Sequence, residues 1–184
     1  MARNAVGFYT NRTSVTPGFS RNMVIDEVVN VHQCMFTTAS WGGGLTSAYT
    51  AESADADDIV FDHRIPWTNS MSNWGSASQV RPEAWAKNVI SVGAVDHFDN
   101  ASPADDSWAA GFASIGPAAD GRMKPDLSAC YENVWTSDRS GAAGYAAGNS
   151  TTGFGGTSAA TPIVAGHNAI AIQMYTDNLF NIPP

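Results

Sequence analysis

The sequence predicts an α/β fold, a parallel sheet with helices on both of its faces. Three observations carry this. The run Asn88 to Val95 (NVISVGAV) is apolar on both sides of a strand, as in the middle of a parallel sheet. Segments with helical spacing alternate along the chain with short extended ones. Of the 184 residues, 43% are apolar and only 14% charged, which supplies a core and argues against a disordered chain. The length fits one domain, and no repeat or linker divides it.

Residues 1–22 are polar with scattered aromatics and read as an irregular segment ahead of a body over 23–184. Residues 23–32 (MVIDEVVNVH) carry apolar side chains at helical spacing. Cys34 to Ala39 reads as a strand that ends in the turn Ser40-Trp41-Gly42-Gly43-Gly44. Residues 47–63 read as a helix with its acids toward the N-terminal half, where the helix dipole favours them. A buried strand is expected over 65–72, a loop at Asn73-Trp74-Gly75-Ser76, and one helical turn over Pro82 to Ala86. After the central strand come an acidic loop (96–110), a short strand over Phe112 to Ile115 and an extended piece over Val134 to Thr136. A glycine-rich stretch then leads into a helix from Ser158 to Asp177.

Composition excludes some functions. The formal charge is −8, and only Lys87 and Lys124 of the nine basic residues are lysines, so the surface repels phosphate backbones. No run of about 18 apolar residues predicts a membrane span. Met1-Ala2-Arg3-Asn4 lacks the apolar core of a signal peptide. Cys34 and Cys130 are too few and too far apart for a disulfide framework or a zinc site. They read as two buried small hydrophobes or as a single bridge.

The sharpest local feature is Gly155-Gly156-Thr157-Ser158-Ala159-Ala160-Thr161-Pro162. Paired glycines allow a hard turn, and Ser158 then opens a helix with Pro162 expected in its first turn. A serine there sits at a helix dipole beside free backbone N–H groups, as a nucleophile needs. It could equally be an ordinary capped helix start.

The neighbours decide between them. Gly156 to Gly166 resembles the nucleophile signature of the subtilisin-like serine proteases. Ser114-Ile115-Gly116-Pro117 with Asp120-Gly121-Arg122-Met123-Lys124-Pro125-Asp126 resembles a second family segment, and Ala86 to Ala94 the strand before it. Ser40-Trp41-Gly42 resembles the strand end that lines the family's specificity pocket. Asn73 falls in the place of its oxyanion asparagine, with Ser72 where a glycine is usual and Asn69 as the fallback. Five segments in order over residues 40 to 166 carry the resemblance, which extends from Met23 onward.

The resemblance implies a serine endopeptidase acting on polypeptides, of extracellular location. Ser158 would be the nucleophile, and Asn73 with the Ser158 N–H the oxyanion donors. Ser40, Trp41, Gly42, Gly156 and Thr157 would bind substrate. One lost oxyanion donor costs about 10²–10³ in rate, a magnitude measured on a subtilisin. The family's Asp-x-Gly and His-Gly-x-His motifs are absent, so this chain resembles the C-terminal portion of a catalytic domain without its triad Asp and His.

The four histidines do not read as their replacement. His167 lies nine residues beyond Ser158 on one helix, roughly 13 Å away and on the opposite face. His32, His63 and His97 read as structural. Asp96, Asp99, Asp105 and Asp106 form a loop that could hold calcium but lacks recognisable ligand spacing, so no cofactor is expected. Missing N-terminal strands would leave an open sheet edge, to be covered in a homo-oligomer or by a separate N-terminal fragment. The alternatives are a non-catalytic relic or peptide-binding module, and a serine-carboxyl (sedolisin-type) peptidase, which would carry Asp where Asn73 stands.

Overall fold

The structure is a computed structural model and describes residues 6–9, 20–76, 79–108, 112–139, 144–146, 148 and 150–180. Its elements are helix α1 (Arg21–Asn30), strand β1 (Thr37–Ala39), helix α2 (Ala51–His63), strand β2 (Trp67–Ser70), a 3₁₀ turn (Pro82–Trp85) and strand β3 (Ile90–Asp96). Strands β4 (Ser107–Trp108), β5 (Leu127–Cys130), β6 (Val134–Ser137) and β7 (Ser150–Phe154) follow, then helix α3 (Thr157–Thr176).

The main sheet is built on β3. Val92 pairs with Ser70 of β2 and with Leu127 of β5, both in parallel, so those two strands lie on opposite edges of β3. The parallel pair β1–β2 extends the sheet on the β2 side. Strand β4 pairs antiparallel at Val95 and Asp96, which makes the sheet mixed at that end. On one face Val92, Ala94, Ala160 and Val164 form a core between β3 and α3. On the other, Ile25, Ala56, Ile59, Trp67 and Val89 join α1 and α2 to the sheet. The α/β fold with helices on both faces is therefore present. Side chains alternate along β3, and on its second face Gly93 is required by packing, because a Cβ there would stand 2.5 Å from the Pro125 ring.

Several elements differ from expectation. Helix α2 starts at Ala51 rather than 47. Ser53 Oγ accepts the Thr50 N–H at 3.1 Å and ends the preceding loop. Strand β1 begins at Thr37 because Gln33 turns at a φ of 55° and the Cys34 N–H returns to Val28 O. Phe112 to Ile115 is not a strand. Its polar backbone groups are used across the 72–75 loop instead, Ser114 N–H to Ser72 O at 2.9 Å and Gly75 N–H to Phe112 O at 2.8 Å. The missing sheet partner is β5, and the glycine-rich stretch contains β7, which pairs antiparallel with β6. Cys34 and Cys130 are unpaired and half-buried, outside the core. Most of residues 1–22 lie outside the described residues; Phe8 stacks on His32 with ring centroids 4.3 Å apart. Among the described residues no helix is long and apolar enough to cross a membrane.

Candidate active site

Helix α3 begins where two glycines allow what no other residue would. A Cβ on Gly155 would lie 2.7 Å from Tyr131 O. Gly156 has a φ of +80°, and a Cβ there would stand 2.9 Å from Asn73 Nδ2. The Gly156 N–H donates to Tyr131 O at 2.6 Å, which fixes the turn against the end of β5. Burial, with Asp96 adding, pushes the Tyr131 phenol above its ordinary range, so the ring is neutral at this turn.

The next residue, Thr157, is fully buried and binds the 72–73 loop. Its N–H and its hydroxyl both donate to Asn73 Oδ1, at 2.8 and 3.0 Å. The same hydroxyl accepts the Ser72 N–H at 3.3 Å. Two donors converging on one atom identify it as the amide oxygen, so Nδ2 is the group left to donate. Ser72 holds a φ of 134°, a backbone region that favours glycine, in the position where a glycine was the expectation. The loop is clamped from behind by Ser114, whose Oγ accepts the Trp74 N–H at 3.2 Å and donates to Gln79 O at 2.7 Å.

Ser158 is the second residue of α3 and half-buried. At the helix tip the Thr157 N–H is taken by Asn73, and those of Ala159 and Ala160 go to Gly156 O. The Ser158 N–H has no acceptor among the described residues. The positive end of the helix dipole and the Ser158 N–H thus lie at a helix start to which Thr157 also ties the Asn73 side chain, whose Nδ2 has no acceptor among the described residues.

Pro162 is not in the first turn as expected. It is the sixth helical residue, so its missing N–H leaves the Ser158 carbonyl without an i→i−4 partner. The Ser40 hydroxyl fills that vacancy, donating to Ser158 O at 3.0 Å. Ser40 follows β1 directly, and the exposed strand end is thereby held against the start of α3. Trp41 beside it is half-buried, and Gly42 is buried with Arg81 Cβ 2.8 Å from where a Cβ would stand. Gly43 donates its N–H to both carboxylate oxygens of Glu83, at 3.1 and 2.9 Å.

The structure thus brings together Ser158, Asn73, Thr157, Gly156 and Ser40, with Trp41 and Gly42 continuing the edge. Asn69 is not among them. It is fully buried in β2 and donates only to Ser70 O, so the fallback assignment is set aside. Each histidine is engaged elsewhere: His32 with Phe8, His63 with Asn22, His97 with Asp106 and His167 with Ile163 O. Among the described residues no group of three or more His, Cys, Asp or Glu side chains is placed to hold a metal. Sequence reasoning missed the Thr157–Asn73 clasp and the role of Ser114. The only signal for Ser114 was its place at the head of the Ser-x-Gly-Pro segment.

The subtilase family model matches residues 11–181. The chain belongs to the subtilase family. Among solved structures it is similar to the self-cleaved protease domain of PatA, with 20% identity and a TM-score of 0.57, covering 87% of this chain and 52% of that one. It is also similar to the prenylagaramide maturation protease PagA, with 21% identity and a TM-score of 0.54, covering 79% and 45%. At these identities the likeness is one of fold. This subtilase chain spans about half the length of the solved structures it matches.

Proposed function

We propose that this chain is the nucleophile-bearing portion of a subtilisin-type serine endopeptidase. Ser158 Oγ attacks the scissile carbonyl carbon of a peptide extended along Ser40, Trp41 and Gly42. Asn73 Nδ2 and the Ser158 N–H receive the oxyanion, and Gly156 and Thr157 shape the turn beneath the substrate. The single observation that carries this reading is the clasp of Thr157, the residue before Ser158, on Asn73 Oδ1, which leaves the amide Nδ2 as the donor at the helix start. A serine-carboxyl peptidase would place a carboxylate where that amide stands.

The proton acceptor and the carboxylate that orients it come from outside these 184 residues, since all four histidines have other partners. Alone, the chain retains about 10³–10⁴ of acceleration from binding and the oxyanion donors, and is nearly inert as a protease. A second reading rests on those same engaged histidines: a non-catalytic relic that keeps the fold and the peptide edge. A fluorophosphonate probe separates the two once a separate N-terminal fragment that supplies the proton acceptor is added to the chain. Labelling that disappears in Ser158→Ala supports a competent base, and absence of labelling supports the relic.

The partner surface follows from the sheet. Among the described residues β1 pairs only with β2. The second half of α3, Ala169 to Met174, is half-exposed to exposed although four of its six residues are aliphatic and one is Met. An apolar helix face of this kind is stable against a partner. A second copy of the chain or a separate N-terminal fragment covers both. Light scattering that returns a monomer, with no dye binding to exposed apolar surface, would remove this part of the reading. The family resemblance favours an extracellular location.

A further inference from the structure

We propose that Trp41, Trp67 and Glu83 form a guanidinium subsite on the peptide edge, and that Arg21 of this chain occupies it as an internal ligand. The proposal rests on the reading of Ser40 to Gly42 as the edge that binds peptide. Arg21 lies at the first turn of α1, and its guanidinium carbon sits 5.1 Å from the centre of the Trp41 ring and 5.6 Å from that of Trp67. Nη2 donates to Glu83 Oε1 at 2.9 Å. The Glu83 carboxylate is fully buried, while a quarter of the Arg21 side chain reaches solvent. Two aromatic faces and one desolvated carboxylate suit a flat, weakly hydrated cation better than an ammonium.

Two features separate this from a plain structural ion pair. Arg21 fills the cradle imperfectly, because its Nη1 is buried without a partner. The carboxylate is also wired to the edge itself, since both of its oxygens accept the Gly43 N–H, three residues from the Ser40 that holds Ser158 O. A peptide paired along Ser40 to Gly42 would bring its own side chains within reach of the cradle.

The consequence is selection. A tethered Arg21 competes at an effective concentration on the order of millimolar, so a free arginine side chain displaces it only when the rest of the peptide adds binding along the edge. Peptides without an arginine at that position leave Arg21 in place.

The test uses Arg21→Ala and, because that variant leaves Glu83 uncompensated, Arg21→Gln as a second variant that keeps a donor. Nα-acetyl-L-arginine methylamide at tens of millimolar should raise the Tm of either variant by about 3 °C or more. It should leave the parent protein and Arg21→Gln/Glu83→Gln unchanged, and the citrulline analogue should do nothing. Equal shifts in all four proteins, or none in any, overturn the proposal. In a second arm, fluorescein-labelled pentapeptides with arginine or citrulline at the central position are titrated into Arg21→Gln. Tighter binding of the arginine peptide, by tenfold or more, is expected. Equal binding overturns the subsite. A Tm response to the amide with no binding of either peptide overturns the peptide edge instead.

Discussion

The contact between Ser40 and Ser158 can be tested by giving Ser158 O a different donor. In the native chain Pro162 supplies none, so replacing Ser40 by Ala removes the side-chain donor that takes its place on that carbonyl. The bond is solvent-exposed, and water recovers part of the loss, so Ser40→Ala should cost about 0.5–1 kcal/mol. In a Pro162→Ala background the new N–H donates to Ser158 O in the ordinary helical pattern. The Ser40 hydroxyl is then redundant, and its removal should cost close to nothing. The double-mutant cycle therefore has a coupling of about 0.5–1 kcal/mol. For a chain of this size that corresponds to a Tm loss of about 1–4 °C on removing the Ser40 hydroxyl when Pro162 is present, and under about 1 °C in the Pro162→Ala background. Pro162→Ala alone should stabilise, since proline in a helix interior costs up to about 3 kcal/mol relative to alanine. Differential scanning fluorimetry on the four proteins suffices. An equal loss in both backgrounds would refute the assignment of Ser40 as the replacement donor.

Three further outcomes are expected. Ser72→Gly removes strain of about 1–3 kcal/mol at a φ of 134° against a glycine entropy cost of about 0.5–1 kcal/mol, so urea unfolding should show net stabilisation. Gly156→Ala drives a methyl group into the Asn73 amide, so the Thr157–Asn73 clasp opens. Tm should fall, and any Ser158 labelling should be lost with it. Glu132 is held above its ordinary carboxyl range of 4.5 by burial first and then by Asp96 beside it. The folded chain thus retains a proton that the unfolded chain has released, and stability falls as pH rises from about 4.5 through the raised value. Glu132→Gln should flatten that fall in a pH series of unfolding midpoints.

The legible parts of this fold were those whose physics is local. Asn88 to Val95 announces a buried strand by its apolar run, and Thr157 to Thr176 follows a glycine pair that only a tight turn explains. The candidate chemistry-bearing residues could be named only through resemblance, since Gly-Thr-Ser and Asn73 keep the family's order. The irregular segments were less so. Phe112 to Ile115 has strand composition but spends its backbone groups on the 72–75 loop, a choice made by residues some 40 positions away. Strand β5 (Leu-Ser-Ala-Cys) is short and only half-buried, and its place is set by pairing with β3 rather than by its own pattern. Pro162 was misplaced because it is the fifth residue counted from Ser158, already past one turn of about 3.6 residues, and the helix starts one residue earlier still, at Thr157.

The clasp of Thr157 on Asn73 joins residues 84 positions apart, and Ser40 reaches across 118 to Ser158. Closing such loops is entropically costly until the sheet between them exists. The proposed oxyanion donors are therefore expected to be among the last features to assemble, after the β2–β3–β5 core has condensed. During synthesis, a chain emerging N-terminus first has the Ser40 to Gly42 edge in place long before Ser158, the proposed nucleophile, and Asn73 acquires its clasp only when the final helix docks.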